Sequence, residues 1–202
     1  VSDDLLYHKV HDAWIRLPDG EPLFPEDTAR GVVYIIRNPL DVAVSFANHL
    51  NTTTGKAISI MNNPEYAFCD HTDKLDNQLR QRLLTWSGHV TSWTVNSGLP
   101  QIVLRYEDML AAPLETFTAA VEFIGLKYSQ AQIQTALDNC SFEQLKKQEE
   151  EKGFSEKSAR SVSFFRKGIA GDWRNVLTPE EVKLITKEHH AVMGRYGYLE
   201  DN

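Results

Sequence analysis

The sequence predicts an α/β fold of three layers, in which helices flank a central parallel sheet. Two short β-branched runs, GVVYII at 31–36 and QIVLRY at 101–106, are typical of buried strands. They alternate with segments whose apolar residues recur at helical spacing, and this alternation favours a parallel sheet covered by helices. Ligands of such sheets bind at the carboxyl ends of the strands. With 202 residues, the chain is expected to form a single domain, 1–202.

The composition excludes several classes of protein. Lys and Arg number 21 against 28 Asp and Glu, a net charge of -7, so no nucleic-acid partner is expected. No run approaches the ~20 apolar residues of a transmembrane helix, so no membrane partner is expected either. The two cysteines, Cys69 and Cys140, lack the spacing of a zinc site and are too few for a disulfide framework. Their scarcity favours a reducing compartment, and the cytoplasm is the predicted location.

The first elements are predicted from alternation and from capping residues. Residues 5–14 alternate loosely between apolar and polar and predict a first strand. After the strand at 31–36, Asn38 suits a helix N-cap, and Pro39 suits the first helical position. Residues 51–76 are polar and too long for a simple connection, which is typical of a functional lid.

The remaining elements are predicted from helical periodicity. Apolar residues from Leu79 to Trp93 form one stripe over four turns and predict a helix that ends near Pro100. Beyond the strand at 101–106, helical patterns cover 114–124, 130–137 and 142–152. Thr178 opens a capping box and begins the last helix.

An anion site is predicted where the strand at 31–36 ends. Arg37 places a guanidinium immediately before a helix N-terminus, whose free backbone N–H groups attract anions and above all phosphate. Ser45 lies two helical turns along the same face and adds a hydroxyl donor. In the alternative interpretation, Arg37 pairs with a carboxylate and Ser45 fits a tight helix contact.

A second anion site is predicted in FFRKGIAGDWRN, residues 164–175. Arg166 and Lys167 are adjacent cations beside Gly168, which lets the backbone approach an anion closely. The alternative is a surface turn with solvated charges. Asp172 and Trp173 are predicted to anchor this loop rather than to react.

Four ordered segments, YIIRNPLDVAVSF, LRYEDM, CSFEQLKK and RKGIAGDWRN, give the chain a resemblance to a known family. It resembles the sulfotransferases that use 3′-phosphoadenosine 5′-phosphosulfate. The resemblance implies that one group of residues holds the 3′-phosphate of this donor, namely Arg37, Ser45, Arg166, Lys167 and Gly168. It also implies that a second group surrounds the adenine, namely Tyr106, Cys140, Ser141, Phe142 and Leu145.

The segment LLYHKVHDAW resembles the part of the family that supplies a catalytic histidine through Lys-x-His, and the match falls on Lys9 and His11. A neutral imidazole within hydrogen-bond reach can take the proton of a hydroxyl as its oxygen attacks sulfur. Lys9 is expected to stabilise negative charge on the leaving phosphate oxygen. His8 is the alternative base, and alternation along a strand together with the motif register favours His11.

The resemblance therefore implies an enzyme that transfers a sulfuryl group to a hydroxyl or amine of a small-molecule acceptor. It releases adenosine 3′,5′-bisphosphate and requires no metal. The family's Lys-Ser-Gly-Thr-Thr type of phosphate loop has no match here and is expected before Val1, so these residues alone are expected to bind the donor weakly. The alternative function is a noncatalytic module that binds a nucleotide or a partner. A kinase is disfavoured because a Walker segment is missing.

Overall fold

The carboxyl ends of two parallel strands meet at one edge of the sheet. The computed structural model describes residues 5–70, 73, 79–154 and 163–200. Within them, β1 (Val32–Ile36) pairs in parallel with β4 (Gln101–Arg105), and Ile36 lies opposite Arg105 at the end of the register. The α/β class and the parallel pairing agree with the sequence prediction. Arg37 and Tyr106, the residues that follow the two strands, are thereby brought together.

The helices follow the strands in the order expected of an α/β chain. They are α1 (Pro39–Leu50), α2 (Thr54–Met61), α3 (Trp86–Thr91), a π-helical turn (Ser92–Asn96), α4 (Tyr106–Ala111), α5 (Pro113–Phe123), α6 (Gln130–Asn139), α7 (Phe142–Lys152), a 3₁₀ helix (Asp172–Asn175) and α8 (Pro179–Arg195). A small antiparallel pair joins β2 (Ala67–Phe68) to β3 (Gln81–Arg82). Of the helices in these described segments, none has the length and apolarity needed to cross a membrane.

Helix α1 begins where the capping residues predict. The Asn38 side chain accepts a hydrogen bond from the Leu40 N–H at 3.0 Å, and Pro39 occupies the first turn. The helix ends at Asn51, whose φ of 50° is the left-handed conformation of a C-cap. Its apolar face is buried through Leu40, Ala43, Val44 and Ala47.

The core lies between the sheet and helices α1, α2, α3 and α8. Its buried members are Ile36, Leu40, Ala43, Val44, Ile58, Met61, Val90, Trp173, Ile185, Val192, Met193 and Tyr198. On the other side, α5 contacts β4 and packs against α4 and α6. The side chains of Val33 and Ile35, which point away from the core along β1, are exposed.

The predicted first strand over residues 5–14 is wrong. Its last residues bond instead to scattered partners: Ala13 N–H donates to the Arg82 carbonyl at 2.8 Å, and Trp14 N–H donates to Ser92 Oγ at 3.0 Å. A strand needs a ladder of backbone partners on a neighbouring strand, and alternation of polarity does not supply one.

Two further boundaries differ from the prediction. The stripe from Leu79 to Trp93 becomes helical only at Trp86, because Thr85 Oγ1 accepts from Gly88 N–H at 2.9 Å and caps the helix there. The polar stretch 51–76 holds α2 and β2, so it is partly regular, and residues 71, 72 and 74–76 of the predicted lid lie outside the described residues.

Helices α5 to α8 agree with the prediction, whereas Tyr106 begins α4, a helix that the sequence did not predict, instead of ending the strand predicted at 101–106. Helix α5 is displaced by one residue, α6 extends two residues further, and α7 has the predicted bounds. Both hydrogen bonds of the capping box that opens α8 are present. Glu181 N–H donates to Thr178 Oγ1, and Thr178 N–H donates to Glu181 Oε2.

Candidate functional site

Arg37 lies at the shared edge of the strands, against Tyr106. Its guanidinium carbon is 4.4 Å from the centre of the Tyr106 ring, within range of a cation–π contact. One terminal nitrogen donates to the Ile169 carbonyl at 3.0 Å. The Nε atom is buried and has no hydrogen-bond partner among the described residues. Arg37 is thus held in place and keeps a donor for an additional acceptor.

Glu107 fixes the turn between β1 and α1. Its Oε1 atom accepts from the Asn38 N–H at 3.0 Å, and its Oε2 atom accepts from the Tyr198 hydroxyl at 3.0 Å. Burial, together with the nearby Glu107 carboxylate, raises the pKa of Tyr198, which favours its role as a neutral donor. The position of Arg37 therefore depends on a carboxylate of α4 as well as on β1.

Asp41 connects α1 to the loop that carries Arg166 and Lys167. This carboxylate is 2% exposed and accepts from Gly171 N–H at 2.6 Å and from Trp173 N–H at 3.0 Å. Charge-assisted bonds of this kind are about twice as strong as neutral ones. The two predicted anion sites are thereby joined through one side chain of α1.

Asp172 binds both cations of that loop. Its carboxylate is 2% exposed and accepts from Lys167 Nζ at 2.7 Å and from Arg166 at 2.5 Å. Hydrogen bonds from Lys167 and then from Arg166 lower the pKa of Asp172 to about 2. The prediction that Asp172 and Trp173 are loop anchors is confirmed. Trp173 is buried in the core.

Gly168 occupies a position that other residues would not tolerate. Its φ of 64° is left-handed, and a Cβ atom built there would lie 2.3 Å from the Phe142 ring. The preceding residues are fixed by Glu149, a buried carboxylate that accepts from Phe164 N–H at 2.7 Å and from Phe165 N–H at 2.9 Å. The loop therefore approaches the start of α7 closely.

The residues that resemblance assigns to the adenine lie around the same cleft. Cys140, Ser141, Phe142 and Leu145 line it from the beginning of α7, and Tyr106 lines it from the strand edge. Ser45, Arg166, Lys167 and Gly168 line it as well. The cleft has a volume of about 2450 Å³, larger than the ~300–1,000 Å³ of a typical small-ligand site. It has room for two reactants.

The candidate bases reach this cleft from residues 5–11. Lys9 and His11 line it, and His8 lines it too, so the choice between the two histidines stays a prediction. The His11 carbonyl lies 3.1 Å from His89 Nε2. The pKa of His49, a residue of α1, is lowered. Burial is the main cause, and the nearby His11 imidazole adds to the effect.

Comparison with known proteins decides the family. Residues 23–197 match the family model described as Sulfotransferase domain. The chain belongs to the sulfotransferase family. The resemblance detected in its four ordered motifs is thereby confirmed.

Curated relatives of this sulfotransferase chain include plant proteins. It is 32% identical over 183 residues to cytosolic sulfotransferase 17 of Arabidopsis thaliana, covering 81% of this chain and 50% of the relative. It is 29% identical over 180 residues to flavonol 3-sulfotransferase of Flaveria bidentis, covering 83% of this chain and 56% of the relative. The chain thus spans about half the length of the curated relatives it matches.

Solved structures share the sulfotransferase fold. Mouse sulfotransferase SULT7A1 complexed with PAP aligns with a TM-score of 0.57 at 19% identity, over 84% of this chain and 63% of that one. Retinol dehydratase in complex with retinol and PAP aligns with a TM-score of 0.58 at 24% identity, over 83% and 48%. At these identities the likeness shows the fold alone.

Sequence reasoning missed the carboxylates that position this sulfotransferase site. Glu107 and Glu149 accept backbone N–H groups from distant segments, and Asp41 does the same. The motif LRYEDM contains Glu107 but gives no sign of its partner. His89 was also missed, because it appears in sequence only as one histidine on a helix.

Proposed function

We propose that this chain carries the nucleotide site and the base of a sulfotransferase that uses 3′-phosphoadenosine 5′-phosphosulfate. The acceptor is a hydroxyl group of a small molecule, and the nucleotide product is adenosine 3′,5′-bisphosphate. The observation that carries the proposal is the convergence of Arg37, Ser45, Arg166 and Lys167 on one cleft of a chain whose net charge is -7. Cations gathered in an acidic protein favour an anionic ligand.

The residues present fit a 3′-phosphate. Arg37 Nε is buried, has no hydrogen-bond partner in the part of the chain that the structure describes, and can donate to a phosphate oxygen, which would remove the cost of an unsatisfied buried donor. The missing Cβ of Gly168 leaves room for the Phe142 ring, which brings the loop that carries Arg166 and Lys167 against the start of α7. Arg166 and Lys167 share Asp172, and a phosphate beside them would accept from their remaining N–H groups.

His11 and Lys9 provide the chemistry that sulfuryl transfer needs. The acceptor oxygen forms a bond to sulfur as the bond between sulfur and the phosphate oxygen breaks, and the acceptor proton passes to the His11 imidazole. The Lys9 ammonium stabilises the charge that develops on the leaving oxygen. Both residues line the cleft, which supports these roles.

The acceptor we propose is a flat, largely apolar alcohol or phenol. Phe46, Tyr66 and Phe68 form edge-on pairs at 5.7 to 6.2 Å on one wall of the cleft, and such rings bind aromatic ligands well. The name of flavonol 3-sulfotransferase, a relative of this chain, points to an acceptor of this kind. An amine is the less favoured acceptor. We propose the cytoplasm as the location of the protein.

Thermal unfolding of the full-length protein tests the nucleotide site. At about 100 times its Kd, adenosine 3′,5′-bisphosphate should stabilise the protein by about 2.7 kcal/mol and so raise its Tm, whereas adenosine 5′-monophosphate should not. Arg37→Ala should abolish this shift. Arg80→Ala is the matched control, because Arg80 is exposed and pairs with Asp70 outside the cleft. Equal shifts with both nucleotides would refute the 3′-phosphate site.

Transfer of radioactive sulfate from the donor to a flavonol tests the base. Loss of a general base typically costs about 10²- to 10⁴-fold in rate, so His11→Ala should reduce kcat by that order, and His8→Ala should not. The opposite pattern would assign the base to His8. Binding of the bisphosphate without any transfer by the wild-type protein would support the noncatalytic alternative.

A further inference from the structure

We propose that His89 is a positioning residue that, together with Tyr34, holds His11 at a fixed place in the cleft. This inference rests on the proposed role of His11 as the base. The Tyr34 hydroxyl is 2.8 Å from His89 Nδ1, and His89 Nε2 is 3.1 Å from the His11 carbonyl oxygen. The three residues therefore form a continuous chain of hydrogen bonds from the sheet to the base.

The partners of its two ring nitrogens determine the tautomer of His89. A carbonyl oxygen can only accept, so Nε2 carries the proton and donates to His11. Nδ1 is then the acceptor, and the Tyr34 hydroxyl donates to it. Burial lowers the pKa of His89 and raises that of Tyr34, which agrees with both groups being neutral.

His11 needs such a contact because its segment has no regular secondary structure. The following residues are tied to the same stretch of α3 and the π-helical turn: Trp93 Nε1 donates to the Asp12 carbonyl at 2.8 Å, and Ser92 Oγ accepts from Trp14 N–H at 3.0 Å. The bond from His89 is made to His11 itself. π-Helical turns are frequent at functional sites.

Tyr34 links this arrangement to the nucleotide site. It lies in β1, and Arg37 follows it by three residues at the end of the same strand. The hydrogen-bonded chain therefore sets the position of His11 relative to Arg37 through a rigid element of the sheet. A base and a donor site must keep a defined separation for in-line transfer, and a misplacement of about 1 Å can cost about 100-fold in rate.

Kinetics of three variants in the full-length protein test the proposal. His89→Leu removes the donor to His11 and should lower kcat about 10- to 100-fold. Its Kd for adenosine 3′,5′-bisphosphate should stay within about twofold, because Arg37 and the residues of the 164–175 loop are untouched. His89→Gln can again donate an amide N–H toward the carbonyl and should recover most of the kcat. Tyr34→Phe should lower kcat by a smaller factor.

His190→Leu is the matched control, since His190 is an exposed histidine of α8 outside the cleft, and it should behave as the wild type. An unchanged kcat in His89→Leu would overturn the proposal. An equal loss in His89→Leu and His89→Gln would overturn it as well. If His89→Leu fails to fold, Tyr34→Phe and His89→Gln decide the same question.

Nuclear magnetic resonance of ¹⁵N-histidine-labelled protein provides a readout that needs no activity. We expect His89 as the Nε2–H tautomer, and we expect the imidazole signals of His11 to shift in His89→Leu and to stay unchanged in His190→Leu. The Nδ1–H tautomer at His89, or unshifted His11 signals, would refute the positioning role. A shift of the His11 signals in a protein that transfers no sulfuryl group would refute the proposed function and leave the contact established.

Discussion

Gly168 is a position where one methyl group is expected to matter. Its Cβ would meet the Phe142 ring at 2.3 Å, and its φ of 64° is unfavourable for any other residue. Gly168→Ala should destabilise the protein by about 1 to 3 kcal/mol, because the ring or the loop must move. Gly98→Ala is the matched control: φ is 66° there, and nothing among the described residues lies within 4 Å of the added atom.

Urea unfolding of the two variants separates the effect of the backbone from that of the ring. Both variants lose stability through the positive φ, and only Gly168→Ala also meets Phe142. The additional loss of stability in Gly168→Ala should be accompanied by weaker binding of adenosine 3′,5′-bisphosphate, since the loop carries Arg166 and Lys167. Equal unfolding midpoints for the two variants would show that the Phe142 ring moves aside freely.

At the level of elements, Asp41 joins α1 to the loop 164–175. Asp41→Asn replaces one acceptor oxygen by an NH₂ group, so either Gly171 N–H or Trp173 N–H loses its partner. An unsatisfied buried donor costs about 1 to 3 kcal/mol, which is the expected loss of stability. Asp19→Asn is the control, because Asp19 is exposed, lies outside the cleft and accepts from the Glu21 N–H at 3.1 Å. Urea unfolding and calorimetric titration with the bisphosphate measure both consequences.

A loss of stability in Asp41→Asn without weaker nucleotide binding would show that the loop keeps its place without this contact. The converse, weaker binding at unchanged stability, would show that Asp41 acts on the loop alone. Comparable behaviour of Asp41→Asn and Asp19→Asn would contradict the linking role of Asp41.

The elements that sequence predicted well are those defined by local signals. The caps at Asn38 and Thr178 depend on residues two or three positions apart, and the structure confirms both. Residues 5–14 failed as a strand because pairing depends on a distant partner that alternation does not reveal. The Arg37 and Arg166 positions could be found from motifs. The carboxylates that hold these positions in place could not be found from motifs, because a residue such as Glu107 accepts from a backbone N–H group far away in sequence.

At the scale of the whole molecule, an acidic chain brings Arg37, Arg166 and Lys167 to one cleft, and buried carboxylates hold the segments that carry them. Asp41, Glu107 and Glu149 accept backbone N–H groups of the site's loops, and Asp172 accepts from the cations themselves. Each of these carboxylates is therefore occupied within the protein. A hydrogen-bonded carboxylate keeps its charge, so in a chain of net charge -7 the suitability of this site for an anion depends on Arg37, Arg166 and Lys167, which line the cleft.

The stability of the whole molecule should depend on pH through His189. This imidazole of α8 is 2% exposed, its Nδ1 lies 2.9 Å from Ser87 Oγ, and burial lowers its pKa to about 4. Between pH 6.5 and 4 the unfolded imidazole binds a proton and the folded one does not. Unfolding therefore takes up a proton, and stability falls as pH decreases, by at most about 1.4 kcal/mol per unit.

Urea unfolding at pH 7 and pH 5 measures this dependence. His189→Gln lacks the titrating group and should lose about 2 kcal/mol less than the wild type over this interval. His190→Gln, which changes the exposed neighbour, should retain the wild-type slope. The lowered pKa values of His49 and His89 act in the same direction but are common to all three proteins, so they cancel in the comparison. Equal slopes in wild type and His189→Gln would show that His189 is protonated without disrupting its contact with Ser87, and that its burial does not govern acid stability.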